Sequence, residues 1–360
     1  MKRRFFGLAL MTLLSGACGA APAAATNHSP SVSAAPVAAS GGVLSCRLPV
    51  AGFVPPAPKG QPGDGGNGQA SQKGRGGFLD LPSGKFTPAT DSDQAYIAGA
   101  NVWVPVSPQA ISPDQRSYVE ARAPQSSLAP PTTTLYLVQV GTKTERELFK
   151  PADGQMAFVL AYTSRGVYVG TASSTGPGAF GFLIIDPATG ASRPVPGVKA
   201  AGGTNQVGFI GISGDFAWEL LIGGLPTQQS FQMIRISLAD GSASTWNEGT
   251  TPFFVLGFDP EGHPIVGNFG SAQIGQINLF LLPSPKQMVA IQPKGGTFLP
   301  GQGGSVRDAH GTWFGSADGG IWLYSSAKGM EEVATVPPQP GGTGQPYDPY
   351  AWRSVAGPCL

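Results

Sequence analysis

Short polar turns recur along this chain at intervals of roughly fifty residues, and this recurrence limits the possible folds more than any other feature of the sequence. The turns form two alternating series. The first series is SPDQ at 112–115, TSRG at 163–166, SGD at 213–215, DPEGH at 259–263 and DAHG at 308–311. The second series is PSGK at 82–85, GTKT at 141–144, PATG at 187–190, ADGS at 239–242, SPK at 284–286 and SAKG at 326–329. Apolar runs such as LYLVQV and IWLYS precede the second series, so each period predicts a small set of short strands.

This repeat predicts an all-β protein of the β-propeller class. One four-stranded sheet cannot bury both of its faces, so each blade must pack against its neighbours in a closed ring. The abundance of turn formers agrees, with 53 glycines and 35 prolines. Six turns of the second series but only five of the first predict six blades, with the missing hairpin completed by the N- and C-terminal strands. A ring of seven blades is the alternative, in which NVWVPV at 101–106 belongs to an extra unit.

The cysteines favour export and a covalent closure of the ring. Cys46 stands where the globular part begins, and Cys359 is the penultimate residue. In an oxidising compartment the two would pair, and in a ring the first and last strands meet in one blade. We therefore predict a Cys46–Cys359 disulfide; two unpaired thiols are the alternative.

The N-terminus resembles a targeting segment. Residues 1–17 combine a basic start with a short apolar core, as a signal peptide does. The run LSGAC ending at Cys18 resembles a bacterial lipoprotein signal, so Cys18 is the predicted lipidation site; cleavage near Ala25 is the alternative. Residues 18–45 form an Ala/Ser/Pro tether that cannot bury a core. We expect a single propeller domain over 46–360, with a low-complexity loop at 55–77.

Charge and motifs exclude several kinds of function. The net charge is +1 and 12% of residues are charged, so there is no basic stripe for nucleic acid. A Gly-x-Ser-x-Gly elbow and a phosphate-binding loop are both absent from the sequence, and nothing in it indicates a cofactor. We expect the protein to be attached to a membrane only through a lipid anchor.

Two histidines are the candidate residues for metal binding or acid–base chemistry. His263 and His310 occupy equivalent turns of successive blades, next to Glu261 and Asp308. Because turns of one series emerge on one face of a ring, these side chains could form a metal or acid–base cluster. The competing interpretation is that Asp, Gly and His simply cap their turns. No two of them have the short spacing typical of a zinc site.

The stretch 305–329, SVRDAHGTWFGSADGGIWLYSSAKG, resembles the repeats of bacterial extracytoplasmic β-propellers. These include the TolB-like and WD-type six-bladed group and the streptogramin lyase type, whose blades carry D-x-x-G-x-x-W-F and G-x-I elements. The matching residues, with one residue fewer before the tryptophan, are Asp308, Gly311, Trp313, Phe314, Gly320 and Ile321. The lyase type implies a His-centred, metal-assisted site, for which His263 and His310 are the possible counterparts. The TolB-like group implies a periplasmic or surface scaffold for protein contacts.

These observations favour a monomeric, exported, lipid-tethered propeller that binds a protein or a small extracellular ligand without catalysis. The alternative is a metal-assisted lyase or hydrolase of the cell envelope that uses His263 and His310. A purely structural surface protein is a third possibility.

Overall fold

The computed structural model describes residues 44–52, 76–123, 132–173, 181–198, 206–225, 228–269, 277–301, 304–336 and 353–360. All of them lie in one unit that spans Ala39–Leu360. The helical segments in these ranges are two single 3₁₀ turns, at Ala98–Ala100 and Pro108–Ala110, and neither approaches the length of a membrane span. The predicted signal peptide, Cys18, nearly all of the tether and most of the 55–77 loop lie outside the described residues.

The first half of the chain builds three blades and one additional hairpin. Blade I receives β1 (Cys46–Gly52), β2 (Gly77–Leu81) and β3 (Lys85–Pro88). A separate hairpin follows, made of β4 (Ala95–Ile97) and β5 (Val102–Val104). Blade II contains β6 (Ser117–Arg122), β7 (Thr134–Gln139) and β8 (Glu145–Phe149), and an isolated bridge from Ile111 to Tyr118 marks its innermost segment. Blade III contains β9 (Gln155–Thr163), β10 (Gly166–Ser173), β11 (Gly181–Ile185) and β12 (Ser192–Pro194).

The second half builds three regular four-stranded blades and then returns to the first. Blade IV contains β13 (Gln206–Ser213), β14 (Phe216–Leu225), β15 (Gln228–Ser237) and β16 (Ala243–Gly249). Blade V contains β17 (Phe253–Phe258), β18 (Pro264–Phe269), β19 (Ile277–Ser284) and β20 (Gln287–Ile291). Blade VI contains β21 (Val306–Asp308), β22 (Gly311–Gly315), β23 (Gly320–Ser325) and β24 (Gly329–Thr335), and β25 (Arg353–Val355) completes blade I. The six-bladed propeller predicted from the turns is confirmed.

The two ends of the chain close the ring in blade I, as predicted. The strand order there is β25-β1-β2-β3, so the C-terminal strand is innermost and pairs antiparallel with β1 through Val50 and Val355. The predicted disulfide joins Cys46 to Cys359 across 313 positions of sequence, with their Cα atoms 5.7 Å apart. The missing hairpin of the first turn series is therefore this closure.

The seven-bladed alternative is wrong. The segment NVWVPV contributes β5, whose one partner among the described strands is β4, in a two-stranded ribbon. Tyr96 and Trp103 of this hairpin pack against Ala51 and Ala356 of blade I, while the other side packs on blade II residues such as Tyr118. The hairpin is thus an apolar wedge between blades I and II and not a blade, because two short strands have no sheet faces large enough to bury against two neighbours.

Apolar clusters fill the remaining interfaces between blades. Each cluster joins two successive blades; Leu48 and Leu79 of blade I, for example, meet Trp313 and Ile321 of blade VI. Equivalent clusters join blades II and III, III and IV, IV and V, and V and VI. All tryptophans among the described residues are buried: Trp103, Trp218, Trp246, Trp313 and Trp322. These large rings pack between sheets, where the fold needs the most apolar volume.

Candidate functional site: the axial cavity and its turn face

Both series of turns emerge at one face of the ring. Neighbouring strands of an antiparallel blade alternate in direction, so the turn after the first strand and the turn after the third lie at the same end. Contacts between blades agree with this placement. Ser326 Oγ, in a second-series turn, donates to Glu261 in a first-series turn at 3.1 Å, and Arg165 of blade III forms an ion pair with Asp215 of blade IV. We call this surface the turn face.

Asp259 begins the first-series turn of blade V and is only 2% exposed. Its Oδ1 accepts the backbone N–H of His263 at 2.6 Å, and its Oδ2 lies 3.0 Å from Nδ1 of the same histidine. Burial raises the pKa of the Asp259 carboxyl above its ordinary value of 3.8, although the hydrogen bonds from His263 oppose the rise. This aspartate therefore closes its own turn.

Asp308 begins the equivalent turn of blade VI, but its carboxylate reaches well beyond that turn. Oδ1 accepts the backbone N–H of His310 at 2.8 Å and lies 3.4 Å from the ring Nδ1 of that residue. Oδ2 accepts the indole N–H of Trp313 at 2.7 Å and the backbone N–H of Cys359 at 2.9 Å. Asp308 thus connects the turn to a buried ring of its own blade and to the C-terminal end of the chain.

The predicted site residues fall into two separate groups, and within the described ranges no group contains both histidines. Each group has three potential ligand atoms within 4.8 Å of one another; they are Asp259, Glu261 and His263, and Asp308, His310 and Cys359. The Cys359 sulfur is committed to the disulfide with Cys46, so the second group offers only two ligands. In both turns the aspartate carboxylate accepts a backbone N–H of the same turn, which is the capping geometry expected where Asp, Gly and His occupy turn positions. A metal-binding role for these residues stays a prediction.

A cavity of about 570 Å³ lies on the axis of the ring. Its walls come from the innermost segment of every blade: residues 356–358 of blade I, several between 107 and 115 of blade II, 159–160 of blade III, 211–213 of blade IV, 256–258 of blade V and 304–307 of blade VI. A space bounded by all six blades can only be axial. In most blades these residues are at the ends of the strands that lead into the first-series turns, so the cavity lies toward the turn face. Its volume is within the range of small-molecule sites.

Arg307 is the one charged residue among the described residues that line this cavity. It stands on β21 of blade VI and is exposed. Its Nη1 donates to Ser213 Oγ of blade IV at 3.3 Å and to the backbone carbonyl oxygen of Asp259 of blade V at 3.1 Å. Ser305 directly precedes β21, and its backbone carbonyl accepts a hydrogen bond from the Nε2–H of Gln109 of blade II at 3.0 Å. Side chains from several blades therefore meet around the cavity.

The sequence did not single out Arg307, although one signal was available. It directly precedes the DAHG turn, at the end of an innermost strand, where the polypeptide passes closest to the axis. The cavity as a whole had no sequence signature, because its lining is drawn from short segments spread over residues 96–358.

Comparison with known proteins finds only distant structural similarity. No protein-family model and no curated protein matches the sequence. Among solved structures, TolB from Acinetobacter baumannii is 12% identical, with 78% of this chain and 61% of that chain covered and a TM-score of 0.44. Oligogalacturonate lyase from Vibrio parahaemolyticus is 11% identical, with 64% and 65% covered and a TM-score of 0.40.

A third structure is prolyl oligopeptidase B from Galerina marginata, which is 11% identical, with 65% of this chain and 34% of that chain covered and a TM-score of 0.43. The match spans less than two thirds of the length of each of the three proteins. Similarity at this level says nothing about ligand or reaction, since one fold serves many functions. The function of this chain must be argued from its own residues.

Proposed function

We propose that this protein is an exported, lipid-tethered β-propeller that binds a protein or a small extracellular ligand without transforming it. The axial cavity is the observation that carries the proposal. Its volume of about 570 Å³ suits a small molecule or the tip of a protein loop. The described residues that line it include serines and a tyrosine but no carboxylate or histidine that could act on them as a general base.

Export is supported by the disulfide and by the N-terminal sequence. The Cys46–Cys359 bond is of the kind that persists in oxidising compartments. Residues 1–17 have the charge and length of a signal peptide, and an acylated Cys18 followed by the 18–45 tether would hold the ring away from a membrane surface.

Mass spectrometry of the protein from a bacterial host tests the anchor. We expect the wild-type chain in the membrane fraction to begin at Cys18 and to carry a diacylglycerol mass. A Cys18→Ser variant should keep its disulfide but move to the soluble extracytoplasmic fraction. Wild-type protein that begins near residue 26 without a lipid mass would contradict the anchor while leaving export intact.

Capture of envelope components tests binding at the cavity. Full-length wild-type protein is compared with Ser107→Trp, which places an indole at the cavity lining, and with Ser192→Trp, a matched change on the exposed outer strand β12. We expect a protein or small molecule that the wild type and Ser192→Trp retain and that Ser107→Trp releases. Equal retention by all three proteins would show that the cavity is not the binding site.

The second candidate function is a metal-assisted lyase or hydrolase, which would use the group of Asp259, Glu261 and His263 on the turn face. Calorimetric titration with Mn²⁺ or Zn²⁺ distinguishes it from the first. A catalytic metal site requires saturable binding that disappears in both His263→Ala and Glu261→Ala. Heat traces unchanged by these substitutions would remove the residues on which the enzymatic alternative depends.

A further inference from the structure

The lining of the axial cavity carries a single positive charge that no described residue neutralises. Arg307 is the only charged residue among the described residues around the cavity. Within these residues no carboxylate lies in ion-pair distance of its guanidinium, whereas Arg122 and Arg165 both have acidic partners. We propose that Arg307 forms an anion site that receives the carboxylate of a small organic acid, whose uncharged part occupies the cavity. This inference rests on the proposed binding function and names its ligand class.

The guanidinium is held in place by neutral acceptors. Nη1 donates to Ser213 Oγ at 3.3 Å and to the carbonyl oxygen of Asp259 at 3.1 Å, which belong to two other blades. These hydrogen bonds orient the group without cancelling its charge. An arginine fixed before the ligand arrives loses less side-chain entropy on binding than a free one.

The remaining donors of Arg307 are available to a ligand. Nε and Nη2 have no hydrogen-bond partner among the described residues, and the side chain is exposed. Two parallel N–H groups of a guanidinium match the two oxygens of a carboxylate, and such bidentate pairs are stronger than neutral hydrogen bonds. The free edge of Arg307 therefore has the geometry that a carboxylate requires.

The surroundings favour an acid with an apolar body. Ile111, Leu160, Ile212 and Leu256 contribute to the lining, and the described polar groups there are uncharged serines, glutamines and a tyrosine. The nearby carboxylate of Asp259 is buried and already accepts hydrogen bonds from His263. No acidic side chain of the described lining would repel the ligand, and charge attraction gains strength where apolar walls displace water.

Benzoate and benzamide are the probes, because they share one shape and differ in charge. Binding to the full-length protein is measured by saturation-transfer NMR with a calorimetric titration. The variants are Arg307→Met, which removes the charge, Arg307→Lys, which keeps the charge without the planar fork, and Arg193→Met, a control on the exposed strand β12. Thermal unfolding checks that each variant is folded. We expect all of them to fold, because Arg307 is exposed and forms no ion pair among the described residues.

We expect benzoate to bind the wild type and Arg193→Met equally and to bind Arg307→Met at least about tenfold more weakly. Arg307→Lys should lie between them, and benzamide should bind weakly to every variant. Benzoate that binds Arg307→Met as well as it binds the wild type, or that does not bind the wild type at all, overturns the anion site. Neither result decides the broader binding function, which is tested independently by the capture experiment with the Ser107→Trp variant.

Discussion

Blades V and VI carry the same kind of turn at the same place, yet the two aspartates that begin these turns stabilise different parts of the molecule. Asp259 is buried, and among the described residues its carboxylate bonds only within its own turn, to the backbone and ring of His263. Asp308 bonds to its turn through His310, to its blade through Trp313 and to the C-terminus through Cys359. The local sequence is similar; the partners available around it are not.

The difference shows how a repeat protein uses one position for two purposes. Inside the ring, a turn aspartate has neighbours on both sides and needs only to satisfy its own turn. Beside the closure, the same aspartate meets the returning C-terminal segment, whose backbone N–H at Cys359 requires an acceptor. Asp308 therefore belongs to the closure of the ring, together with the disulfide and β25.

Removing the disulfide should have the largest effect on the closure. Cys46→Ala with Cys359→Ala frees the unfolded chain from a loop of 313 residues, and the loss of chain-entropy stabilisation is expected to be about 5–6 kcal/mol. Chemical denaturation under oxidising conditions measures it. Reduced wild-type protein should behave like the double variant, and a loss below about 1 kcal/mol would mean that the ring closes without help from this bond.

Replacing the two aspartates by alanine should separate their roles. Asp308→Ala leaves the buried Trp313 N–H and the Cys359 N–H without an acceptor, for an expected loss of about 2–4 kcal/mol. Asp259→Ala removes the acceptor of the His263 backbone N–H and the partner of the partly exposed His263 ring, and the expected loss is about 1–2 kcal/mol. Denaturant unfolding of both variants is the measurement, with Asp308→Asn as the control that retains one acceptor oxygen.

The coupling of Asp308 to the closure can be measured separately. In the background that lacks the disulfide, Asp308→Ala should change stability by an amount different from its effect in the wild type, because both changes act on the same terminal segment. Asp259→Ala should have the same effect in either background. Additive effects for Asp308 would show that its bond to Cys359 does not contribute to closure.

The pH dependence of stability should distinguish the buried aspartate of blade V. The pKa of Asp259 is raised above 3.8 in the folded state, so the folded protein holds this proton more tightly than the unfolded chain does. The protonated Asp259 carboxyl therefore contributes its full stabilisation below pH 3.8, and this stabilisation is lost as the pH rises through the raised pKa. We expect Asp259→Asn to become more stable relative to the wild type as the pH rises from 3.8 through the raised pKa of Asp259. A difference between the two that does not change with pH would contradict the raised pKa.

Removing the histidine rings should have the smallest effect. His310 is 40% exposed with Nδ1 3.4 Å from Asp308, so His310→Ala should cost less than about 0.5 kcal/mol. His263→Ala removes a closer contact, 3.0 Å to a buried carboxylate, and should cost about 1 kcal/mol. Thermal unfolding of the two variants gives the ranking, which would be reversed if His310 contributed to closure as Asp308 does.

The sequence predicted the architecture well because repetition adds weak local evidence. Each Asp-Gly or Ser-Gly turn alone is a modest indication, but eleven turns in two series predicted the blade, the number of blades and the place of closure. The same reasoning failed at 101–106, where an apolar run that resembled a blade strand became a wedge between blades I and II. The local sequence pattern of a segment does not show whether enough neighbouring strands are present for that segment to become part of a blade.

The candidate site was less predictable. The two histidines stood out because they are scarce, but the structure gives each one its own aspartate and separates them into two groups among the described residues. Arg307 did not stand out, because an arginine before a turn is common and its significance depends on the absence of acids in a lining assembled from all six blades.

What the sequence determined by itself was the ring: the period of its turns, the strands between them and the cysteine at each end of the domain are all local or additive properties. What only the tertiary structure decided was which polar groups meet, since Arg307 contacts Ser213 across 94 positions and Asp308 contacts Cys359 across 51. The physical reason is that blade packing arises from burial that any suitable apolar residue can supply, whereas a hydrogen bond needs two particular atoms within about 3 Å of each other.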